Sequence, residues 1–366
     1  MMKITRPTLV LNKTICLQNI ELMAEKAKRH HLRFRPHFKT HQSLEIGRWF
    51  REFGVKHITV SSVQMANYFA SDGWDDITIA FPFNVLEIEE LNQLTEIASV
   101  NIVVDNPVTV EKLKNKLTNP TGVYIKISTG YYRAGISSGA TSKIEAVLTE
   151  IENNPKLIFK GLLTHSGHAY GAKSRNEVQN IQFDTILKMN VLKKHFSKRY
   201  PDIEISIGDT PTCSISENYQ GVDEIRPGNF VFYDLVQHNL GACKIDDIAV
   251  RMYCPVISKQ RNRNEIIIYG GAIHFSKDWI QNINAKPLYG RIIISENNEK
   301  HLLPNSDYLC RLTQEHGVIK VSSEIFNKID IGDLIEVIPV HSCLTAQAMG
   351  HYITTKGEEI TMMKPF

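Results

Sequence analysis

Between Cys16 and about residue 240, short β-branched runs alternate with stretches of helical apolar spacing. Ile20, Met23, Ala24 and Ala27 predict a helix over 16–31, after which comes the run RFRPHF and a helix over 43–53. HITVSS precedes a helix over 63–71, DITIAF one over 85–98, VNIVVD one over 108–117 and GVYIKIST one over 142–152. IFKGLLTHS leads to a long helix over 177–196, and IEISIG and VDEIRPG complete the series. Eight such runs, most followed by a helix, predict an α/β chain whose larger part is a (β/α)8 TIM-type barrel. A flavodoxin-like open sheet is the alternative, but it would close after about five or six strands.

After Asp234 the helical period disappears. The runs 248–258, 264–273, 290–295 and 334–340 alternate with Gly/Asn-rich turns and predict a second, antiparallel β domain at the C-terminus. The expected division is a barrel over 13–240 and a β domain over 241–366, the latter joined by residues 1–12.

On a barrel, chemistry belongs at the C-terminal ends of the strands. Lys39 follows the first run, Ser61 and Ser62 the second, and the segment Ser128 to Arg133 the fifth. His165 to Tyr170 follow the sixth, Gly208 to Thr212 the seventh, and Arg226 to Asn229 the eighth. Polar loops placed at random would not fill one rim so consistently.

Bulk properties narrow the partners. A net charge of +3 without a long basic run points to no nucleic acid and no membrane partner. No stretch of about 18 apolar residues occurs, and the first residues lack a secretory pattern. The cysteines at 16, 213, 243, 254, 310 and 343 form no CxxC pair, the pattern of reduced thiols in a cytoplasmic protein.

Two features carry chemistry. Lys39 lies in Arg35-Pro36-His37-Phe38-Lys39-Thr40-His41 and is a candidate Schiff-base lysine. His341-Ser342-Cys343 follows an apolar run, so the pair is expected at a strand end with imidazole and thiolate facing one way, able to hold a soft cation. Asp209-Thr210 after Gly208, and Gly228-Asn229, lie where barrels hold phosphate through backbone N–H groups. They could equally be ordinary glycine turns. A lysine facing a phosphate site suggests pyridoxal phosphate, with Arg133 able to donate to the ring oxygen.

The stretches RPTLVLN (6–12), RPHFKTH (35–41), STGYYRAGI (128–136), HSGHAY (165–170), GDTPT (208–212), EIRPGNFVFYD (224–234) and HSCLTA (341–346) run in one order along the chain. Through them the sequence resembles the fold-type III pyridoxal-phosphate enzymes with an alanine-racemase-like barrel. Within these it resembles the D-serine dehydratase and D-threonine aldolase branch. The resemblance implies that Lys39 binds the cofactor and serves as the Cα base, and that Arg133 contacts the ring hydroxyl. It also implies that Tyr170 lies near the pyridine nitrogen, that Gly228 and Asn229 cradle phosphate, and that His341 and Cys343 hold a divalent metal. A thiolate favours Zn2+ over Mn2+ or Mg2+.

The expected reaction is β-elimination from a 3-hydroxy D-amino acid such as D-serine, giving an oxo acid and ammonia. Retro-aldol cleavage of D-threonine is the alternative, with His165 or His168 as base. A racemase fits less well, because glycine stands at Gly270-Gly271 where a tyrosine base would be expected; a cofactor carrier without turnover would lack the β domain. The resemblance further implies a homodimer.

Overall fold

The computed structural model describes residues 3–296 and 299–364. The chain divides into two compact units: Ile20–Phe230, and the segments before and after it.

In the first unit eight parallel strands form a ring. In chain order they are Arg33–Phe34, Ile58–Val60, Asp76–Pro82, Ser99–Val104, Thr121–Ser128, Leu157–Thr164, Glu204–Ile207 and Glu224–Ile225. The eighth pairs with the first through Glu224↔Arg33 and Ile225↔Phe34. The first meets the second through the His37↔Thr59 bridge, where Phe38 N–H donates to Thr59 O and Thr59 N–H to Pro36 O. This is the barrel expected from the sequence, with helices such as Leu44–Glu52, Val63–Ala70, Thr141–Glu152 and Arg175–Phe196 following their strands.

Side-chain capping sets where several helices begin. Ser62 accepts from Met65 N–H, Asn106 from Thr109 N–H and Ser174 from Glu177 N–H. Two helices are shorter than their apolar spacing predicts. Asn84 caps a 3-10 turn before Ile88–Leu94, and the helix Pro107–Leu113 stops where Lys114 becomes extended and Asn115 takes φ 58°.

The barrel interior is polar at one level. Arg35, 2% exposed, donates to Glu224 Oε2 and Asp76 Oδ1 at 2.6 Å each, and Arg33 Nε reaches the same Glu224 oxygen at 2.6 Å. Glu224 Oε1 accepts from Ser206, whose hydroxyl accepts from Arg226 Nε. Tyr124 donates to Glu204 and packs on Val103 and Leu163.

The second unit is an antiparallel barrel. Val250–Gln260, Glu265–Tyr269, His316–Lys320, Tyr308–Leu312, Gly290–Glu296 and Leu334–Pro339 pair in that order, and the last returns to the first. Thr8–Leu11 lies antiparallel to the first half of Val250–Gln260 and parallel to His351–Thr354. Apolar side chains such as Leu235, Ile248, Tyr308, Ile338 and Val340 fill one core.

Contrary to the β-only expectation beyond Asp234, four short helices occur here among the described residues: Leu235–Asn239, Ala272–Phe275, Ser323–Lys328 and Ser342–Met349. Each spans about one or two turns, too short for helical periodicity to register. Asp234 and Ser322 cap two of them. Among the described residues no helix is long and apolar enough to cross a membrane, and no disulfide forms.

Candidate active site

Lys39 sits in a turn directly after the first barrel strand, exposed, with its backbone N–H 3.4 Å from His37 Nδ1. That turn packs on the turn after the eighth strand. His37 N–H donates to Pro227 O at 2.8 Å, and a Cβ at Gly228 would stand 2.7 Å from His37 O and 3.2 Å from Thr40 Oγ1. The missing side chain at Gly228 therefore permits two backbone turns to touch. At Gly208 a Cβ would stand 2.8 Å from Arg226 Cβ, so that glycine also serves packing between neighbouring strands.

Four cations gather at this end of the barrel. Lys126 projects from the fifth strand on the face that alternation also gives to Tyr124 and Ser128. It is 5% exposed; burial, then the charges of Arg226, Arg133 and Lys39, push its ammonium down to about 8, with Asp105 opposing. His37 is held well below its ordinary value by burial and by Lys39, Arg226 and Lys126.

Burial, then the charges of Lys39, Arg133 and Lys126, push His165 down to about 3, with its bond to Gly208 O opposing. Because a carbonyl only accepts, His165 Nδ1–H donates to Gly208 O at 2.5 Å, which leaves Nε2 as a bare lone pair. The buried Ser128 Oγ has no hydrogen-bond partner among the described residues.

Two loops interlock beside these groups. Arg133 lies over the Tyr131 ring at 5.0 Å, and Tyr131 meets His165 edge-on at 5.9 Å. Tyr131 rests on Gly167, where a Cβ would stand 2.4 Å from the ring, and His168 rests on Gly130. His168 Nδ1 is buried without a hydrogen-bond partner among the described residues, and burial followed by Lys188 lowers its pKa.

Tyr170 Oη accepts from Thr210 N–H at 3.3 Å, and Thr210 Oγ1 accepts from Phe230 N–H. Asp209 spends both carboxylate oxygens on Thr212, as cap of the helix Thr210–Ile215. Burial lifts Asp209 to about 6. Asn229 begins a 3-10 turn and is buried.

A cluster of cations with few facing carboxylates, an orphaned hydroxyl and a lysine at its edge fits an anionic aldehyde such as pyridoxal phosphate. Lys126 was not among the residues expected from the sequence. Its signal was a lysine inside the apolar run Val123-Tyr124-Ile125-Lys126-Ile127.

The second unit carries the His-x-Cys pair. His341 has extended backbone and precedes the helix Ser342–Met349, so Cys343 lies in that helix's first turn. The two do not share a strand face as expected; the chain leaves the sheet at Pro339 and turns. They still meet, because the helical turn folds Cys343 back within hydrogen-bond reach of the imidazole. Burial pushes the His341 imidazolium down, but Cys343, Asp234 and Asp278 outweigh it and raise it to about 10.

Ser342 N–H and Oγ reach Asp234 Oδ2 at 3.1 and 3.3 Å, fixing the start of the helix. An imidazole and a thiol at such a turn suit a soft divalent ion, with positions left for water or substrate. Among the described residues no three His, Cys, Asp or Glu side chains converge as a complete ligand set.

Residues 15–235 match the family described as alanine racemase, N-terminal domain, and 249–355 match a serine dehydratase domain. The chain belongs to the alanine racemase N-terminal domain family. It is an enzyme of the fold-type III pyridoxal-phosphate class, in the dehydratase and aldolase branch.

A D-serine dehydratase of Dictyostelium discoideum is 29% identical over 98% of this chain and 96% of its own length. The solved D-threo-3-hydroxyaspartate dehydratase of Delftia sp. superimposes with TM-score 0.91 at 23% identity, covering 100% of this chain and 99% of that one. The D-threonine aldolase of Filomicrobium marinum gives TM-score 0.84 at 18% identity, over 97% and 94% of the two chains. The Delftia enzyme is also known as a variant in a metal-free form.

Proposed function

We propose that this protein is a pyridoxal-phosphate- and metal-dependent lyase that eliminates water from 3-hydroxy D-amino acids, with D-serine the simplest substrate. The observation that carries the reading is the packing of the Lys39 turn against the Gly228 turn, among Lys126, Arg133, Arg226 and His165. Bound there, pyridoxal phosphate supplies a covalent handle for the amine and an electron sink for the Cα–H bond.

In this reading Lys39 Nζ accepts the Cα proton, and Arg133, braced on Tyr131, donates to the ring oxygen. Backbone N–H groups of Gly228 and Asn229, and the Thr210 region, take the phosphate. The cofactor domain is the barrel, compact over Ile20–Phe230 within the 13–240 expected, and the metal domain is the β unit formed by the segments on either side. Water departs from Cβ, and hydrolysis of the product releases an oxo acid and ammonia. His341 and Cys343 would hold Zn2+, whose Lewis acidity assists departure of the β-hydroxyl.

Dehydratases from Dictyostelium discoideum, Schizosaccharomyces pombe and Delftia sp. each align with 94–98% of this chain, which supports elimination. Aldolases align at lower identity than the Dictyostelium dehydratase or over less of the chain: the 3-hydroxy-D-aspartate aldolase of Paracoccus denitrificans is 25% identical over 99% of it, against 29%, and the D-threonine aldolase of Arthrobacter sp. aligns with 48%. Retro-aldol cleavage would need a base for the β-hydroxyl proton. His165, held near 3 by burial and surrounding cations, is a weak one, and His168 is locked between loops.

The test is a product assay with purified, cofactor-loaded protein on D-serine, D-threo-3-hydroxyaspartate and D-threonine. Oxo acid and ammonia that disappear with chelator and with Lys39→Ala are expected. Glycine and aldehyde as the only products would overturn the elimination reading. Gel filtration with light scattering tests the expected homodimer.

A further inference from the structure

The His341 imidazole makes one contact that neither metal binding nor capping accounts for. His341 Nδ1 lies 2.6 Å from Asp278 Oδ2, across 63 residues of sequence, while the side chain makes no capping bond to the helix it precedes. A carboxylate oxygen accepts, so the ring nitrogen facing it carries the proton.

The loop bearing Asp278 is built to stand there. It leaves the short helix Ala272–Phe275 through Ser276, a non-glycine residue at φ 77°. The Ser276 hydroxyl then accepts from Asp278 N–H at 3.2 Å. Thr345, one turn into the helix that follows His341, donates to Phe275 O at 3.1 Å and to His341 O at 3.0 Å. One hydroxyl thus ties the aspartate's loop to the histidine's own carbonyl.

Among the described residues Asp278, His341 and Cys343 do not converge as a three-residue ligand set, and the carboxylate engages the ring at Nδ1. We propose that Asp278 is the positioning residue of the metal pair: it holds the proton on His341 Nδ1, fixes the ring plane, and leaves Nε2 as the donor to the ion. This deepens the reading of His341 and Cys343 as metal ligands and rests on it. A histidine so held binds its metal with less loss of rotational freedom and with a more basic donor nitrogen, and removal of such a partner typically weakens metal affinity about 10–100-fold.

The test is zinc affinity of the full-length protein, measured by competition with a chromophoric chelator, for wild type, Asp278→Ala, Asp278→Asn and His341→Ala. Asp278→Ala should weaken zinc about 10–100-fold. Asp278→Asn should fall between, because its amide oxygen still accepts from Nδ1–H but carries no charge. The melting temperature of the metal-free protein should not move, which a merely structural role for Asp278 would not allow. Zinc affinity unchanged in Asp278→Ala while His341→Ala loses it would overturn the inference alone. Equal zinc affinity in wild type and His341→Ala would overturn the metal reading and this inference together.

Discussion

Replacing Glu224 by Gln changes almost no volume and removes one buried charge. Its carboxylate is fully buried and receives Arg33 Nε and Arg35 Nε at one oxygen and Ser206 Oγ at the other, each at 2.6 Å. The glutamine amide can sit at the serine side and donate to Ser206, leaving its oxygen for the two guanidinium groups. The hydrogen-bond count survives, but the charge assistance of two bonds is lost. Bonds to charged groups contribute roughly 1.5–3 kcal/mol against about 1 for neutral ones. The loss is therefore about 0.5–2 kcal/mol per arginine, or about 1–4 kcal/mol together.

Arg35 keeps Asp76, which limits the damage. Urea unfolding followed by the fluorescence of Trp49 and Trp74, both buried in the barrel unit, measures it. A double-mutant cycle with Arg35→Met should give a coupling above about 1 kcal/mol. A Glu224→Gln midpoint within about 0.5 kcal/mol of wild type would refute the reasoning and mean that the arginine charges are already compensated elsewhere.

Other expectations are independent of that network. Gly167→Ala places a Cβ 2.4 Å from the Tyr131 ring, so Tyr131 and the stacked Arg133 must shift; equilibrium dialysis should find pyridoxal phosphate bound about tenfold more weakly, about 1.4 kcal/mol. Buried His41, held at about 3 by desolvation among Phe38, Phe50 and Phe69, contributes stability that is complete above its unfolded value and fades as pH falls towards 3. His41→Phe should flatten the acid limb of stability against pH by up to about 1.4 kcal/mol per pH unit. Asp209 has the opposite sign: burial lifts it to about 6, so its contribution is present below the ordinary carboxylate value and is lost as pH rises through 6. Asp209→Asn keeps the capping oxygen, and its midpoint relative to wild type should improve between pH 4 and pH 7.

The barrel was legible because each strand is a β-branched run whose following helix begins at a recognisable cap, as at Ser62, Asn106 and Ser174. The rim position of Lys39, Arg133 and His165 follows from strand order alone. What failed to show was set by contacts distant in sequence or too brief for a period. Arg35, in the same segment as Lys39, turns inward onto Glu224 and Asp76. Cys343 was expected on a strand, but the helix Ser342–Met349 begins too abruptly after Pro339 for any pattern to announce it. Asp278 meets His341 only because the antiparallel unit brings its loop back, and nothing local to either residue marks the pair.

The strand Thr8–Leu11 is flanked by Val250–Gln260 on one side and His351–Thr354 on the other, with Val10 beside Ile353. During synthesis this strand must therefore wait, one edge unpaired, until His351–Thr354 has left the ribosome. The barrel unit, whose strands pair largely with near neighbours in sequence, can close during that interval. Loss of His351–Thr354 would thus leave a bare edge on Thr8–Leu11, a template on which another chain could pair.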